Sequence, residues 1–401
     1  MFLQTGEIKM KVAIYTGTFK KNQDGATKTL YELVNSLLKN SIDVGVWAFQ
    51  ITPQQREGLC LHKIPSLPLP LYPDYKISLP TPKIKRQIEA FDPDVIHITV
   101  PDIVGIFLIR YACAKGIPVL TSFHTDFPAY LKSYRLGIFY KWSWSYLRWF
   151  YNKSQVVLAP TDTIIDKLKL NQIKQVRLWS RGIERGRYNT SYRSSSLRAR
   201  WGATDKRVIL YAGRFVWYKD LETFIRVYEI FKKEGPHNVV FVLAGDGPIR
   251  SELECRMPDA RFTGYLQGTK LSRVYASSDI LLFPSTTETF GNVVLEALSS
   301  GLPAVVSDVG GCREIVEKSG GGIVAKAGDV TQFYQSCKQL VENRESHETC
   351  RLKGLDYVKK CSWTGINNSV IDEYRRLARK RTTQKKPVFL PLPAHHYLYD
   401  L

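Results

Sequence analysis

Two doubly wound α/β domains facing each other across a cleft are predicted by three observations. Short apolar strands alternate with helical periodicity, the alternation stops at a basic connector and then restarts, and 401 residues are enough for two separate cores. In the first half, residues 11–16, 44–49, 94–98, 117–123 and 156–160 read as short parallel strands. After the first of them, Leu30, Leu33, Val34, Leu37 and Leu38 keep the spacing of a half-buried helix. Residues 184–206 are the connector, and strands are expected again at 208–211, 239–243, 280–283 and 304–307. The proline-rich stretch 65–82 reads as a long surface excursion. A helix over 363–380 is expected to pack back toward the first domain, followed by a basic, partly disordered tail over 381–401. The domain limits are therefore 10–183 and 207–362, and residues 1–9 read as a leader without structure or a misassigned start.

Lys and Arg total 57 against 37 Asp and Glu, a formal charge of +20, which calls for an anionic partner: nucleic acid, a phospholipid surface or a phosphorylated small molecule. Sign alone does not choose among them. Seven cysteines without CxxC or Cys/His spacing read as reduced thiols of a cytosolic protein and imply no structural metal. No apolar run approaches the ~20 residues of a membrane helix, and no apolar signal segment stands at the start.

Residues 288–306, ETFGNVVLEALSSGLPAVV, carry the strongest chemical signal. Glu288 and Glu296 lie eight positions apart across a loop-to-helix junction, and Val293, Val294, Ala297 and Leu298 form the stripe that such a helix buries. Gly291 lets a ligand approach the free N–H groups at the helix start, an arrangement that suits phosphate. The plain alternative is an ordinary βα unit in which Glu288 caps its helix. Loops at the carboxyl ends of parallel strands are where such folds bind ligands, and three more of them are informative. Residues 212–224, AGRFVWYKDLETF, set Arg214 and Lys219 five apart, where two cations can embrace a diphosphate. Residues 243–248, LAGDGP, place Gly245 in a turn, and residues 262–266, FTGYL, end a strand at Gly264 and Tyr265, offering backbone to a flat base. Residues 132–185 interleave bases, among them Lys132, Arg135, Lys141, Arg148, Lys167, Arg177 and Arg181, with Tyr134, Phe139, Trp142, Trp144, Trp149 and Phe150. That mixture suits a bilayer interface or, equally, aromatics packed under a covering helix.

Together with GRFVWYKD, AGDGP, FTGYL and the pair Gly310-Gly311, this stretch resembles the retaining GT-B glycosyltransferases of the glycosyl transferases group 1 class, built from two Rossmann-like domains. DGATKTLYEL, SFHTDFPAY and RLWSRGIE resemble its branch of mannosyl- and sulfoquinovosyl-type transferases that decorate membrane lipids. The resemblance implies that Arg214 and Lys219 bind the diphosphate and serve catalysis, that Glu296 holds the ribose, and that Glu288 reaches the donor sugar. It gives Phe290, Gly291 and Asn292 backbone contacts to sugar or phosphate, sets His124 against the same sugar, and adds Val293, Gly245, Gly264 and Tyr265 to the nucleotide-sugar set. Gly25 keeps close backbone approach possible although Asp24 replaces the other glycine of the usual pair.

The implied reaction is metal-independent, retaining transfer of a hexosyl unit from GDP-mannose or a UDP-sugar to a membrane lipid or glycan, without a cofactor. The expected location is the cytoplasm, at the inner face of an anionic membrane, with no nucleic-acid partner. A sugar-nucleotide epimerase on the same architecture and a nucleic-acid-binding protein are the alternatives; the absence of GxGxxG disfavours a nicotinamide dehydrogenase.

Overall fold

The computed structural model describes residues 9–20, 25–69, 72–129, 139–234 and 238–385. Its first domain is a seven-stranded parallel sheet in the spatial order Val176–Leu178, Val156–Ala159, Val119–Ser122, Val95–Ile98, Lys11–Tyr15, Asp43–Ala48, Leu59–Lys63. The second is a six-stranded parallel sheet in the order Arg261–Gly264, Val239–Ala244, Arg207–Ala212, Ile280–Phe283, Ala304–Ser307, Gly322–Ala325. Each sheet turns back on itself at its opening strand: Lys11–Tyr15 and Arg207–Ala212 both have chain-later strands on either side. A crevice forms beyond the carboxyl ends of strands at such a switch point. These strands read as unbroken apolar runs because helices cover both faces of the sheet, and Val208, Ile209, Leu210 and Tyr211 are completely buried.

Three helices bear on the cleft and its support. Helix α1 (Gly25–Lys39) follows the first strand, α2 (Asn292–Ser299) follows the fourth strand of the second domain, and α3 (Trp363–Lys385) closes the described chain. The last of these returns to the first domain as expected, placing Val370, Ile371, Tyr374 and Leu377 in the core beneath α1. It is longer than the sequence suggested. Arg381, read as the start of a disordered tail, is buried, with its guanidinium on the Pro93 carbonyl and the Asp92 carboxylate, so the helix continues to Lys385; residues 386–401 lie outside the described residues. The leader expected over 1–9 also lies outside them, Lys9 excepted.

The connector packs onto the second domain. Ile183, Tyr188, Trp201 and Ala203 join its core, and Asp279 receives Arg193 and Arg198, each at 2.9 Å, with the Val208 N–H at 2.8 Å. Burial alone would raise the Asp279 carboxyl, but these donors hold it below the ordinary aspartate range. The proline-rich stretch is not pure loop: Ser66–Leu69 and Tyr72–Ser78 pair antiparallel. The edge strands Leu59–Lys63, Val176–Leu178 and Gly322–Ala325 escape an apolar-run reading because they are short or carry polar residues toward solvent.

The turns at the carboxyl ends of the second sheet interlock too tightly for side chains. A Cβ on Gly245, whose φ is +149°, would stand 1.8 Å from the Gly213 carbonyl oxygen. Gly245→Ala is therefore expected to cost about 3 kcal/mol or more. Gly116→Ala, at φ +61° with nothing within 4 Å, should cost only about 1 kcal/mol. Calorimetric melting of both variants checks the pair, and equal losses would mean that the interlock does not constrain the fold.

Candidate active site

Between the two sheets lies a cavity of about 750 Å³ lined by both domains. Twelve of the thirteen residues singled out from sequence line it: Gly25, His124, Arg214, Lys219, Gly245, Tyr265, Glu288, Phe290, Gly291, Asn292, Val293 and Glu296. Gly264 does not line it itself; at φ +70° it bends the strand end so that the neighbouring Tyr265 does. Asp24 lies outside the described residues.

Two helices open onto this space with the same pole. Gly291, at φ +95°, is the N-cap of α2, and the first residue of α1, Gly25, comes so close to it that a Cβ there would lie 2.1 Å from Asn292 Nδ2. Gly291 itself backs onto Cys312, whose Sγ a Cβ would meet at 2.3 Å. Both helix starts turn their positive pole toward the cleft, where Gly25 and Ala26 of one and Gly291, Asn292 and Val293 of the other line the cavity, which suits an anion lying between them.

Lys219 ends a 3₁₀ turn, Trp217–Lys219, and its ammonium pairs with the Glu288 carboxylate. Burial alone would depress the Lys219 ammonium, but the adjoining carboxylate raises it above the ordinary lysine range, so it remains a cation. Glu288 therefore does not cap α2, in contrast to the plain βα alternative. Arg214 sits two positions beyond Ala212, its carbonyl held by the Tyr211 hydroxyl at 3.1 Å, while the following Phe215 N–H donates to the Asp246 carbonyl at 2.9 Å.

Glu296, 8 % exposed on the first turns of α2, accepts from the Tyr275 hydroxyl at 3.0 Å and pairs with Lys28 of α1 at 3.5 Å. The Lys28 ammonium also lies 5.1 Å from the Tyr188 ring centre. Burial, reinforced by Glu296, pushes the Tyr188 and Tyr275 hydroxyls far above their ordinary range, so both stay protonated donors. A carboxylate flanked by donors on the cavity wall is suited to hold a pair of ribose hydroxyls.

His124 follows the strand Val119–Ser122 by two residues and has both ring nitrogens occupied: Nε2 meets Ser122 Oγ at 2.8 Å and Nδ1 meets Arg181 Nη2 at 3.3 Å. Ser122 Oγ also meets His97 Nε2 at 2.9 Å, and His97 Nδ1 meets the Tyr374 hydroxyl of α3 at 2.6 Å. A guanidinium can only donate, so His124 Nδ1 is the acceptor and the proton sits on Nε2. Burial, then Arg181, then His97 push the His124 imidazole well below its usual range, and burial pushes His97 down to about 3. Both rings are neutral.

Lys28, Arg181, Arg187, Tyr188, Tyr218 and Tyr275 also line the cavity and were not expected there. Lys28 lies four residues before Glu32 on a helix whose charged face reads as solvated, and its true partner is 268 residues away. In the sequence Arg181 belongs to a basic and aromatic stretch that suits a bilayer interface and packed aromatics equally; Arg181 itself is 4 % exposed, Trp144 and Phe150 are core residues, and Trp142 and Trp149 are exposed. Lys132, Tyr134 and Arg135 lie outside the described residues.

Comparison with solved structures shows the same two-domain fold in a sucrose-phosphate synthase of Thermosynechococcus elongatus (TM-score 0.76, 17 % identity, covering 93 % of this chain and all of that one). It recurs in Anabaena HepE solved in complex with UDP and glucose (TM-score 0.73, 16 % identity, 92 % and 100 % covered). The fold is that of the GT-B glycosyltransferases. The family model "Glycosyl transferases group 1" matches residues 206–343, and "Glycosyltransferase Family 4" matches residues 23–187. The chain is 30 % identical to the sulfoquinovosyl transferase SQD2 of Arabidopsis thaliana over 90 % of its own length and 70 % of that protein's. It is 27 % identical to a GDP-mannose-dependent alpha-mannosyltransferase of Mycobacterium tuberculosis over 94 % and 99 %. The chain belongs to the glycosyl transferases group 1 family, in its mannosyl- and sulfoquinovosyl-type branch, and is a glycosyltransferase that uses a nucleotide sugar.

The neutral histidines predict acid sensitivity. A base whose folded pKa is depressed leaves the unfolded chain holding more protons below pH 6.5, so stability is full above that value and falls as the pH drops toward about 3. Each such ring contributes a slope of roughly 1 kcal/mol per pH unit in that window. Urea midpoints of the wild type and His97→Gln between pH 7 and 5 test this, the variant showing the shallower loss; identical slopes would place the sensitivity elsewhere.

Proposed function

We propose that the protein transfers a hexosyl unit, with retention of configuration and without a metal, from a nucleoside-diphosphate sugar to a membrane lipid or glycan. The observation that carries this reading is the convergence of two helix N-termini with Arg214 and Lys219 on one cavity. Glycosyl transfer passes through an oxocarbenium-like state in which the departing diphosphate gains negative charge, so fixed cations and N–H groups beside it lower the barrier. Among the described residues no cluster of three or more His, Cys, Asp or Glu stands ready to hold a metal ion. Arg214 and Lys219 take the metal's part.

Glu288 is engaged with Lys219, which fits a residue that positions the sugar while a phosphate oxygen accepts the proton of the incoming acceptor hydroxyl. His124 is held neutral by its contacts, which suits a wall for the sugar rather than a titrating acid. GDP-mannose and UDP-sugars are both donor candidates, since one relative's name gives GDP-mannose and a protein of the same fold was solved with UDP and glucose.

A membrane-facing surface is part of the same proposal, supported by a small exposed group of aromatic and basic residues. No helix among the described residues is long and apolar enough to span a bilayer. On the helix Tyr140–Tyr151, Trp142 is 77 % exposed and Trp149 is also exposed, next to Phe139, Lys141 and Lys153. Such a surface dips aromatic rings into the headgroup layer while lysines meet anionic lipid.

Three measurements test the proposal. Transfer should persist in chelator, and strict dependence on added magnesium or manganese would contradict it. Arg214→Ala should lower kcat about 10²- to 10³-fold, on the order of 3 to 4 kcal/mol, with little change in melting temperature, whereas Glu296→Ala should mainly weaken nucleotide binding. A folded Arg214→Ala enzyme with normal turnover would remove the diphosphate assignment. Sedimentation with vesicles should favour anionic over neutral lipid and weaken as salt rises, and Trp142→Ser should reduce it; equal binding to both lipids would exclude the electrostatic part.

A further inference from the structure

Most cleft cations already face a carboxylate: Lys28 has Glu296 at 3.5 Å, Lys219 has Glu288, and Arg187 has Glu184 at 3.7 Å. Arg181 is different. It is 4 % exposed, lines the cavity, and has no carboxylate partner among the described residues. Its Nη1 donates to the Trp179 carbonyl at 2.5 Å and the Ser180 carbonyl at 3.2 Å, and its Nη2 donates to His124 Nδ1 at 3.3 Å. The guanidinium carbon lies 4.9 Å from the Trp179 ring centre and 6.0 Å from that of Phe290, in the loop that opens α2.

Those contacts orient the fork and leave its charge in place. Three of the five N–H donors are used, all on neutral acceptors, and Ser122 Oγ, which accepts from His124 Nε2–H while it bonds His97 Nε2, keeps His124 in the tautomer whose Nδ1 accepts. A buried cation without a counter-charge costs several kcal/mol, and proteins ordinarily avoid it. A fold that builds an aromatic and carbonyl cradle for such a charge, on the wall of a ligand cavity, leaves the counter-charge to the ligand.

We propose that Arg181 is a substrate-binding residue, which takes an oxyanion of the bound nucleotide sugar from the first-domain side, opposite Arg214 and Lys219. The oxyanion has two possible sources, a phosphate oxygen of the donor or an ionised substituent on the transferred sugar. This rests on the reading of the cavity as a nucleotide-sugar site.

The test uses Arg181→Met and Arg181→Lys in the full-length protein, with calorimetric titration of a nucleoside diphosphate, its neutral hexose conjugate and its uronate conjugate, in the base series that the wild type binds. Arg181→Met should melt at or above the wild-type temperature, because an apolar side chain relieves the uncompensated charge, yet bind at least one ligand ten-fold or more weakly, with Arg181→Lys intermediate. Weakening already seen with the nucleoside diphosphate assigns the phosphate; weakening confined to the uronate conjugate assigns the sugar substituent. Unchanged affinity for all three ligands, or a lowered melting temperature with unchanged affinity, would overturn the proposal and leave Arg181 a structural tie for two carbonyls. Wild-type protein that binds none of the three overturns the nucleotide-sugar reading itself, and this inference with it.

Discussion

Two helices begin at one cleft and present the same electrostatic pole to it, and much of the molecule is arranged around that constraint. The starts of α1 and α2 come so close that Gly25 has no room for a side chain beside Asn292. Like poles repel, so the arrangement needs either an anion between them or carboxylates and interdomain contacts to hold it. Glu288 and Glu296 supply the carboxylates, and Lys28 of α1 bridges to Glu296 of α2. Further contacts act at a distance from the cavity. Glu314 accepts from the N–H groups of Asp162 and Thr163 at 3.1 and 2.9 Å, capping a first-domain helix from the second domain, and Lys318 reaches Asp162 at 2.6 Å. The Thr289 hydroxyl donates to the His124 carbonyl at 2.9 Å, tying the α2 loop to the first sheet.

How much of this was legible in the sequence depended on whether a residue acts within one domain or between two. Arg214, Lys219, Gly245, Tyr265 and the residues around α2 follow strand ends of the second sheet, and glycine, charge and strand period mark such positions locally. Lys28 and Arg187 look like ordinary solvated cations until the other domain or the docked connector approaches. Tyr188 and Tyr275 look like core aromatics, and they are core aromatics whose hydroxyls reach Glu296. Arg181 is undecided in the sequence for the same reason. A basic residue among aromatics suits a surface and a packed helix alike, and only the tertiary fold shows Trp179 and Phe290 closing over it. In the connector, Arg193 and Arg198 are hidden in the same way, because both pair with Asp279, a buried aspartate distant in sequence.

The charge states in the cleft are coherent. Lys219 stays protonated beside Glu288, the tyrosines around Glu296 stay neutral, and the His97–Ser122–His124 chain carries no charge while it orients Arg181. Burial lowers the Arg181 guanidinium to about 9, which leaves it a cation at neutral pH. A site with fixed cations and neutral hydrogen-bonded walls does not have to reorganise as negative charge builds on a leaving diphosphate. That property links the fold to transfer chemistry. The remote face with Trp142 and Trp149 bears on where the enzyme works, not on how it works.

The central claim is that the cleft is built for a diphosphate held between two helix starts. It is tested most directly by titrating the protein, in chelator, with the diphosphate and the monophosphate of whichever nucleoside binds. The account predicts that the diphosphate binds at least ten-fold more tightly and that raising the salt concentration narrows the gap. Equal affinities at low salt would show that the second phosphate finds no partner there, and would contradict the account.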